Sequence, residues 1–284
     1  VAVKVYRKLE SSRPIRWYAR ALRHYGAGMS AADGLAVPQV LQVQLGKFAL
    51  LMDWVDAKPL REVLLTQDLS PARRARRIEK CGAWLRRFHD LSNVQMEPFD
   101  YDMMATRRQL HVDQLEPGSS ALSNGSWFAR AVKLLDTHAA RFDGKDVACA
   151  KVHGDVTTSN LMISAETVIG LDFDARRRLP LATDICRLLV HLDVCRYLPT
   201  SHAAMDETAG SRRDVEALRA GYGADLFPDE PFFSFVLLND IVRRIAIRSD
   251  KSASQGGSIG RRLELYRLNR RCRYLVQRLE KETL

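Results

Sequence analysis

The sequence from residue 152 to residue 174 reads Val152-His153-Gly154-Asp155-Val156-Thr157-Thr158-Ser159-Asn160-Leu161-Met162-Ile163-Ser164-Ala165-Glu166-Thr167-Val168-Ile169-Gly170-Leu171-Asp172-Phe173-Asp174. Two short apolar runs, 161–163 and 168–171, flank a polar tetrapeptide, which is the pattern of a β-hairpin. Asn160 stands before the first run and Asp172 after the second, so antiparallel pairing brings these two residues together. Asp155 lies five residues upstream of Asn160, in a glycine-containing loop that can curl back to the same point. We therefore expect one amide and two carboxylates to converge.

This set of side chains suits phosphoryl transfer. One carboxylate can orient the attacking hydroxyl, and carboxylate and amide oxygens are ligands for the magnesium that accompanies nucleotide phosphates. One alternative is an Asp- and Asn-rich turn before an ordinary hairpin. A metallophosphatase is a weaker alternative, because the sequence shows no second His and Asp cluster with metal-ligand spacing.

A family resemblance rests on three motifs, which are His153-Gly154-Asp155, Asn160 and Leu171-Asp172-Phe173. Together they resemble the catalytic loop and the metal-binding segment of the aminoglycoside phosphotransferase and choline kinase family. The resemblance implies an α+β, protein-kinase-like fold with two lobes. The small, β-rich N-terminal lobe with the hinge is expected at residues 1–57 and is incomplete. A mostly helical C-terminal lobe, which holds the catalytic apparatus, is expected at residues 58–284.

The resemblance also implies roles for individual residues. Asp155 is expected to orient and deprotonate the acceptor hydroxyl, while Asn160 and Asp172 are expected to hold Mg²⁺. His153 is expected to brace the loop. Asp184, near the start of the following helix, is expected to support the loop through hydrogen bonds to its backbone.

The N-terminal part carries the expected nucleotide contacts. Lys4 lies in a strand pattern and matches the lysine that binds the inner phosphates of ATP or GTP in the family. Met52 is expected to border the adenine pocket, and the backbone of Asp53 and Val55 to hydrogen-bond the base. The helical segment 16–25 contains no acid to pair with the lysine. The glycine-rich loop that should precede Lys4 is absent from the sequence, so we expect an upstream segment to be missing.

Composition and charge indicate the partners and the compartment of the protein. The chain has 284 residues and a net charge of +10, which suits polyanionic partners such as nucleotides. Five cysteines, an odd number without a Cys-x-x-Cys pair, predict reduced thiols in a cytoplasmic protein. No apolar run approaches the roughly 20 residues of a transmembrane span. The arginine-rich last helix predicts a solvated face or, as the minority interpretation, a contact with an anionic surface, and nucleic acid is not expected as a partner.

Two regions of the chain carry weaker signals. Residues 96–126 are polar and contain prolines and glycines, which predicts an irregular insertion. Acceptor specificity in the family depends on acids and aromatics of the later helices, where Asp229, Glu230 and Asp240 are candidates. No motif selects these three residues, so we expect them to be solvated surface charges.

The expected function is transfer of the γ-phosphoryl group of ATP or GTP to a hydroxyl of a small molecule, a sugar or a lipid-linked glycan. One alternative is a catalytically degenerate kinase-like protein that binds nucleotide or acts as a scaffold. The absent glycine-rich loop and helix acid favour that alternative, whereas the intact Asp155, Asn160 and Asp172 argue against it. The other alternative is a protein Ser/Thr kinase, which Gly154 and the lack of an Ala-Pro-Glu motif after Asp172 argue against.

Overall fold

The computed structural model describes residues 1–6, 13–65, 69–115, 126–196, 211–253 and 259–281. The strands are β1 (Ala2–Val5), β2 (Leu35–Ala36), β3 (Val40–Gln44), β4 (Ala49–Met52), β5 (Lys58–Pro59), β6 (Gln95–Pro98), β7 (Asp146–Lys151), β8 (Leu161–Ser164), β9 (Thr167–Gly170) and β10 (Arg178–Pro180). The helices are α1 (Arg13–Gly28), α2 (Leu60–Leu64), α3 (Pro71–Asp90), α4 (Tyr101–Val112), α5 (Trp127–Phe142), α6 (Ala182–Val194), α7 (Arg212–Tyr222), α8 (Glu230–Ala253) and α9 (Ile259–Lys281).

The chain forms two compact units. The first contains residues 1–94, 150–179 and 216–227, and the second contains residues 95–149, 180–215 and 228–284. The lobe boundary predicted at residue 57 stays a prediction. None of the helices in the described ranges is both long and apolar enough to cross a membrane.

Two small sheets of the first unit position the functional side chains. In the first sheet β4 lies between β1 and β3, and β1 pairs antiparallel with β4 so that Lys4 faces Leu50. In the second sheet the strand order is β2-β9-β8-β5, with β8 and β9 as an antiparallel pair. Leu161 is opposite Gly170, and Ile163 is opposite Val168. The hairpin expected from the two apolar runs is therefore present.

Helix α3 packs against the β8–β9 hairpin. Ser70 caps its first turn by accepting a hydrogen bond from the Arg73 amide at 3.3 Å. The ring of Trp84 lies directly against Gly170, where a Cβ atom would fall 2.0 Å from the ring. The Trp84 indole also donates a hydrogen bond to the Ala36 carbonyl of β2 at 2.8 Å. One tryptophan thus fixes the helix to two strands of the sheet.

The second unit is mainly helical and corrects two expectations. Residues 96–126 were expected to be irregular, yet they contain most of β6 and all of α4, whose first turn is capped by the Asp100 carboxylate accepting from the Met103 amide at 2.8 Å. Residues 116–125 of that segment lie outside the described ranges. Asp240 was expected on the surface, but it is buried and pairs with Arg187 and Arg243 at 3.4 and 3.1 Å.

The last helix is not simply a solvated basic face either. Arg267 and Arg271 of α9 are buried. The Arg267 guanidinium donates to the backbone carbonyl of Val194 at 2.6 Å, and Arg271 donates to that of Leu189 at 3.3 Å. Val194 is the last residue of α6, where cationic donors are stabilising, whereas Leu189 lies before its last turn. Part of the arginine signal in the sequence therefore reflects helix capping inside the unit.

Candidate active site

The loop that carries Asp155 is tied to the segment that follows the hairpin. Gly154 has a φ of +79°, a left-handed conformation that glycine adopts without steric cost. The Asp155 amide donates to Nδ1 of His153 at 3.3 Å, and the Asp174 amide donates to the His153 carbonyl at 2.7 Å. The His153 ring is fully buried, and its aromatic neighbours are Trp84, Phe88 and Phe173, with ring centroids 5.8 to 5.9 Å away. This position suits a bracing side chain.

Asp155 and Asn160 lie in direct contact. The side-chain amide of Asn160 donates to the backbone carbonyl of Asp155 at 2.9 Å and to its carboxylate Oδ2 at 3.1 Å. The backbone carbonyl of Asn160 accepts from the Leu171 amide at 2.8 Å, which places Asn160 beside the residue before Asp172. Because the amide nitrogen faces Asp155, the amide oxygen is left for another partner. Asp155 is an exposed residue, so a substrate can reach it.

Asp172 is held in an unusual backbone conformation. Its φ is +54°, which is uncommon for a residue other than glycine. Its amide donates to the hydroxyl of Tyr18 at 3.1 Å. Its carboxylate Oδ1 pairs with Nζ of Lys4 at 2.5 Å, and the two side chains are 55% and 33% exposed. The fold thus joins two residues that are 168 positions apart in the sequence.

Two tyrosines surround the Lys4 ammonium and are absent from the sequence prediction. Lys4 Nζ lies 4.7 Å from the ring centroid of Tyr18 and 5.5 Å from that of Tyr6. Burial, and then the Asp172 carboxylate, raise the pKa of Tyr6 to about 12 and raise the pKa of Tyr18 further. Both phenols are therefore neutral at physiological pH. Tyr18 belongs to the apolar face of α1, so the sequence pattern alone marks it as a core residue.

The donor set fits a magnesium ion. Asp172 offers a half-exposed carboxylate, and Asn160 offers the amide oxygen that does not face Asp155. Mg²⁺ prefers oxygen ligands and is commonly held by one or two side chains together with phosphates and water. Among the described residues no group of three or more His, Cys, Asp or Glu side chains has the arrangement of a metal site. With Asp172 and Asn160 as its protein ligands, a magnesium ion would take further oxygen ligands from phosphates and water.

The expected hinge is the segment after β4, residues 53–56. Only part of its backbone is available to hydrogen-bond a nucleotide base. The Asp53 amide donates to the Gln39 carbonyl at 3.0 Å, and the Asp53 carboxylate accepts from the Gln39 amide at 2.7 Å. Within the described part of the chain, the Asp53 carbonyl and the Val55 amide have no such partner. Met52 is half-buried at the end of β4, opposite Ala2.

A cavity of about 830 Å³ borders the same hinge segment. It is lined by residues 53–56 of the hinge and by Ser164 and Ile169 of the hairpin, but not by Lys4 or Asp172. Side chains alternate between the two faces of a strand, so Met162 lies on the same face of the hairpin as Ser164, which lines the cavity. The cavity therefore adjoins the expected base position and is separate from the residues expected to bind phosphate.

Asp184 lies in the second unit, in the first turn of α6. The residue is fully buried, and its amide donates to the Leu181 carbonyl at 3.2 Å. A buried acid in this position requires hydrogen-bonding partners. Its predicted support of the catalytic loop stays a prediction.

The fold is shared with several solved kinases. A glucosamine kinase in complex with glucosamine, ADP and inorganic phosphate has 15% identity and a TM-score of 0.66, covering 99% of this chain and 78% of that one. A choline/ethanolamine kinase family protein from Mesorhizobium loti has 15% identity and a TM-score of 0.59, covering 96% and 81%. An amicoumacin kinase in complex with AMP-PNP and Ca²⁺ has 13% identity and a TM-score of 0.60, covering 93% and 78%. These similarities confirm the predicted kinase-like fold.

The sequence itself gives a second line of evidence. A comparison with curated protein sequences returns no match. The model of the phosphotransferase enzyme family (APH), in contrast, matches residues 1–232, which include the expected catalytic loop, the hairpin and the expected hinge. This match confirms the family expected from the three motifs. The chain belongs to the phosphotransferase enzyme family and is an enzyme that transfers phosphate to a hydroxyl group.

Proposed function

We propose that the protein is a magnesium-dependent kinase that transfers the γ-phosphoryl group of ATP or GTP to a hydroxyl of a small molecule, a sugar or a lipid-linked glycan. The observation that carries this proposal is the contact between Asp155 and Asn160, with the Lys4–Asp172 pair joined to the same hairpin. A base, two oxygen ligands and one cation are the parts that this reaction uses.

Asp155 is the catalytic base in this proposal. Its exposed carboxylate accepts the proton of the acceptor hydroxyl while the hydroxyl oxygen attacks the γ-phosphorus. The bond from that phosphorus to the β,γ-bridging oxygen breaks, and the nucleoside diphosphate leaves with the bond electrons. The Asn160 amide holds the Asp155 carboxylate in place at 3.1 Å, so the base is oriented before the acceptor arrives.

In this proposal Lys4 binds the phosphates of the nucleotide, and Asn160 and Asp172 bind its metal ion. A bound Mg²⁺ ion would supply positive charge against the phosphates of the nucleotide. Asp172 and Asn160 supply its protein ligands, and Lys4 moves its ammonium from Asp172 to the inner phosphates. The hinge contributes the Asp53 carbonyl and the Val55 amide to the base, beside Met52. His153 braces the loop from the buried aromatic cluster.

The acceptor is proposed to be neutral or anionic. A solved neighbour is in complex with glucosamine, whose sugar hydroxyls and not its cationic amine are the feature carried over here, so sugars are the first class to test. The net charge of +10 disfavours accumulation of a polycationic acceptor near the protein. Sugars, sugar phosphates and lipid-linked glycans therefore come before aminoglycosides in an acceptor panel.

The test is acceptor-stimulated release of nucleoside diphosphate, measured with and without Mg²⁺, for the unchanged chain and for Asp155→Asn. The variant is expected to lower kcat by roughly 10²- to 10⁴-fold, because it removes the base. Its affinity for the nucleotide should stay within about threefold, because Asp155 is not a proposed metal ligand. Asp90→Asn, an exposed acid on α3 that pairs with Arg86, is the matched control and should retain full activity.

Two results would overturn the proposal. Equal phosphate transfer by Asp155→Asn and the unchanged chain would remove the assigned base. Failure of the unchanged chain to bind any Mg-nucleotide would favour the catalytically degenerate alternative. A peptide arm in the panel covers the protein kinase alternative, and transfer to Ser or Thr alone would replace the small-molecule acceptor.

A further inference from the structure

Helix α1 contains no acid that could pair with Lys4. Its sequence from Arg13 to Gly28 holds basic, apolar and small residues, without a single Asp or Glu. Among the described residues, the contacts of the Lys4 ammonium are the Asp172 carboxylate and the rings of Tyr6 and Tyr18. A lysine that must release one anion to bind another needs a second element that keeps it in place.

Tyr18 makes two contacts at this point with two different parts of its side chain. The ring face lies 4.7 Å from Lys4 Nζ, within the range of a cation–π interaction. The hydroxyl oxygen accepts the hydrogen bond of the Asp172 amide at 3.1 Å. Tyr18 is 6% exposed and its ring packs against Phe173, with centroids 5.5 Å apart, so its position is fixed by the core.

A neutral partner suits this place for an electrostatic reason. A carboxylate would compete with the phosphate oxygens for the Lys4 charge, whereas the ring attracts the ammonium through its quadrupole and leaves the full charge for the nucleotide. The hydroxyl acts at the same time on Asp172, whose left-handed backbone conformation at φ +54° needs external support. One side chain therefore orients both partners of the Lys4–Asp172 pair.

We propose that Tyr18 is a positioning residue that sets the Lys4 ammonium and the Asp172 carboxylate for the phosphates and the metal of the nucleotide, in the place of the acid that α1 lacks. The inference rests on the proposed function, because it assigns Tyr18 to the nucleotide site of that reaction. Its geometric part concerns the protein without nucleotide and can be tested separately.

The first experiment measures kinetics of Tyr18→Phe and Tyr18→Leu. Tyr18→Phe keeps the ring and loses the hydroxyl, so it should raise the KM for Mg-nucleotide by several-fold, about threefold to tenfold. Tyr18→Leu loses both contacts and should raise it by more than about tenfold. The KM for the acceptor should change little in either variant. Tyr25→Phe is the matched control, since this buried tyrosine of the same helix bonds to Ser92 and also packs on Phe173.

The second experiment is independent of activity. The rate of amine labelling of Lys4 in the nucleotide-free chain is measured by mass spectrometry, with the exposed Lys58 as an internal reference. Labelling of Lys4 should accelerate several-fold in Tyr18→Leu, while Tyr25→Phe and Lys58 should show no change. If Tyr18→Leu does not unfold cooperatively on heating, Tyr18→Phe replaces it in the comparison. Labelling of Lys4 should then accelerate in the same direction but by less.

The outcomes separate the two proposals. Faster labelling of Lys4 in Tyr18→Leu, together with failure of the unchanged chain to bind any Mg-nucleotide, would support the positioning geometry and overturn the proposed function. Phosphate transfer with equal Lys4 labelling and equal nucleotide KM in all variants would overturn the role of Tyr18 alone. A rise of both KM values together with a loss of thermal stability would show a merely structural role, which also overturns it.

Discussion

Asp172 and Asp174 are two residues apart, yet they have different surroundings. Asp172 lies on the exposed side of the hairpin end and faces Lys4, whereas Asp174 pairs with Arg176 and its amide is bound to the His153 carbonyl. Sequence spacing alone does not separate two acids this close. The contacts distinguish the two residues, because Asp172 pairs with Lys4 and Asp174 pairs with Arg176.

We expect Asp172→Asn and Asp174→Asn to differ in their response to magnesium. Asp172→Asn removes an anionic metal ligand, so kcat/KM should fall by about 100-fold or more at fixed Mg²⁺ and the Mg²⁺ concentration for half-maximal rate should rise. Asp174→Asn should stay within about threefold of the unchanged chain. The measurement is the initial rate across a magnesium titration. An equal loss in both variants would contradict the assignment of Asp172 as the ligand.

At the scale of the elements, the packing of α3 under the hairpin depends on a missing side chain. Gly170 lies opposite Leu161 in the β8–β9 pair and faces the ring of Trp84, with no room for a methyl group. A sequence pattern places Gly170 inside a strand, where glycine is ordinarily unfavourable. The close approach of Trp84 supplies the reason, and only the tertiary contact shows it.

We expect Gly170→Ala to lower the free energy of unfolding by about 2–3 kcal/mol, because the new methyl group forces Trp84 and the strand apart. The measurement is urea-induced unfolding followed by tryptophan fluorescence and by circular dichroism. Gly46→Ala is the control, since a Cβ atom there meets nothing within 4 Å. Equal midpoints for the two variants would show that the Trp84 contact is not tight in solution.

The elements also show where sequence patterns failed. Pro98, Pro117, Gly118 and Gly125 predict an irregular segment, but helix α4 lies between Pro98 and Pro117, and Asp100 caps its first turn. The arginines of helix α9 predict a solvated face or, as the minority interpretation, an anionic contact, whereas Arg267 and Arg271 are buried. Burial of Arg267 depends on the carbonyls at the end of α6, more than 70 residues earlier, which no local pattern reports.

At the scale of the whole molecule, the helical unit contains a buried charge cluster. Asp240 accepts from Arg187 and Arg243 through the same oxygen, Oδ1. Burial alone would raise the pKa of Asp240, but the guanidinium groups of Arg243 and Arg187 outweigh it and lower the pKa to about 2. The ionised carboxylate is therefore part of the folded state at any physiological pH.

We expect Asp240→Asn to destabilise the protein by about 3–5 kcal/mol at pH 7, because it leaves the buried guanidinium group of Arg187 and the partly buried one of Arg243 without their anion. Since the folded pKa of Asp240 lies below its unfolded value near 3.9, its stabilisation is present above about pH 4 and is lost as the pH falls towards 2. The difference between the variant and the unchanged chain should therefore shrink between pH 5 and pH 3, as estimated from the two pKa values. The measurement is urea unfolding at pH 7, 5 and 3.

The control for this prediction is an exposed ion pair of the same unit. Arg130 and Glu280 lie 2.5 Å apart with side chains 42% and 37% exposed. Glu280→Gln should change the free energy of unfolding by less than about 1 kcal/mol, because water screens the pair. A larger loss in Glu280→Gln than in Asp240→Asn would contradict the assigned importance of the buried cluster.

Local spacing was enough to predict the hairpin, the contact of Asp155 with Asn160 and the family. These features depend on residues close together in the chain, such as Asp155 and Asn160, and on strand alternation, which a sequence displays directly. Only the tertiary structure shows the contact of Lys4 with Asp172, the contacts of Tyr18 with both residues and the burial of Asp240. Each depends on atoms brought together from distant parts of the chain, and the environment of a charge is set by that packing and not by its neighbours in sequence.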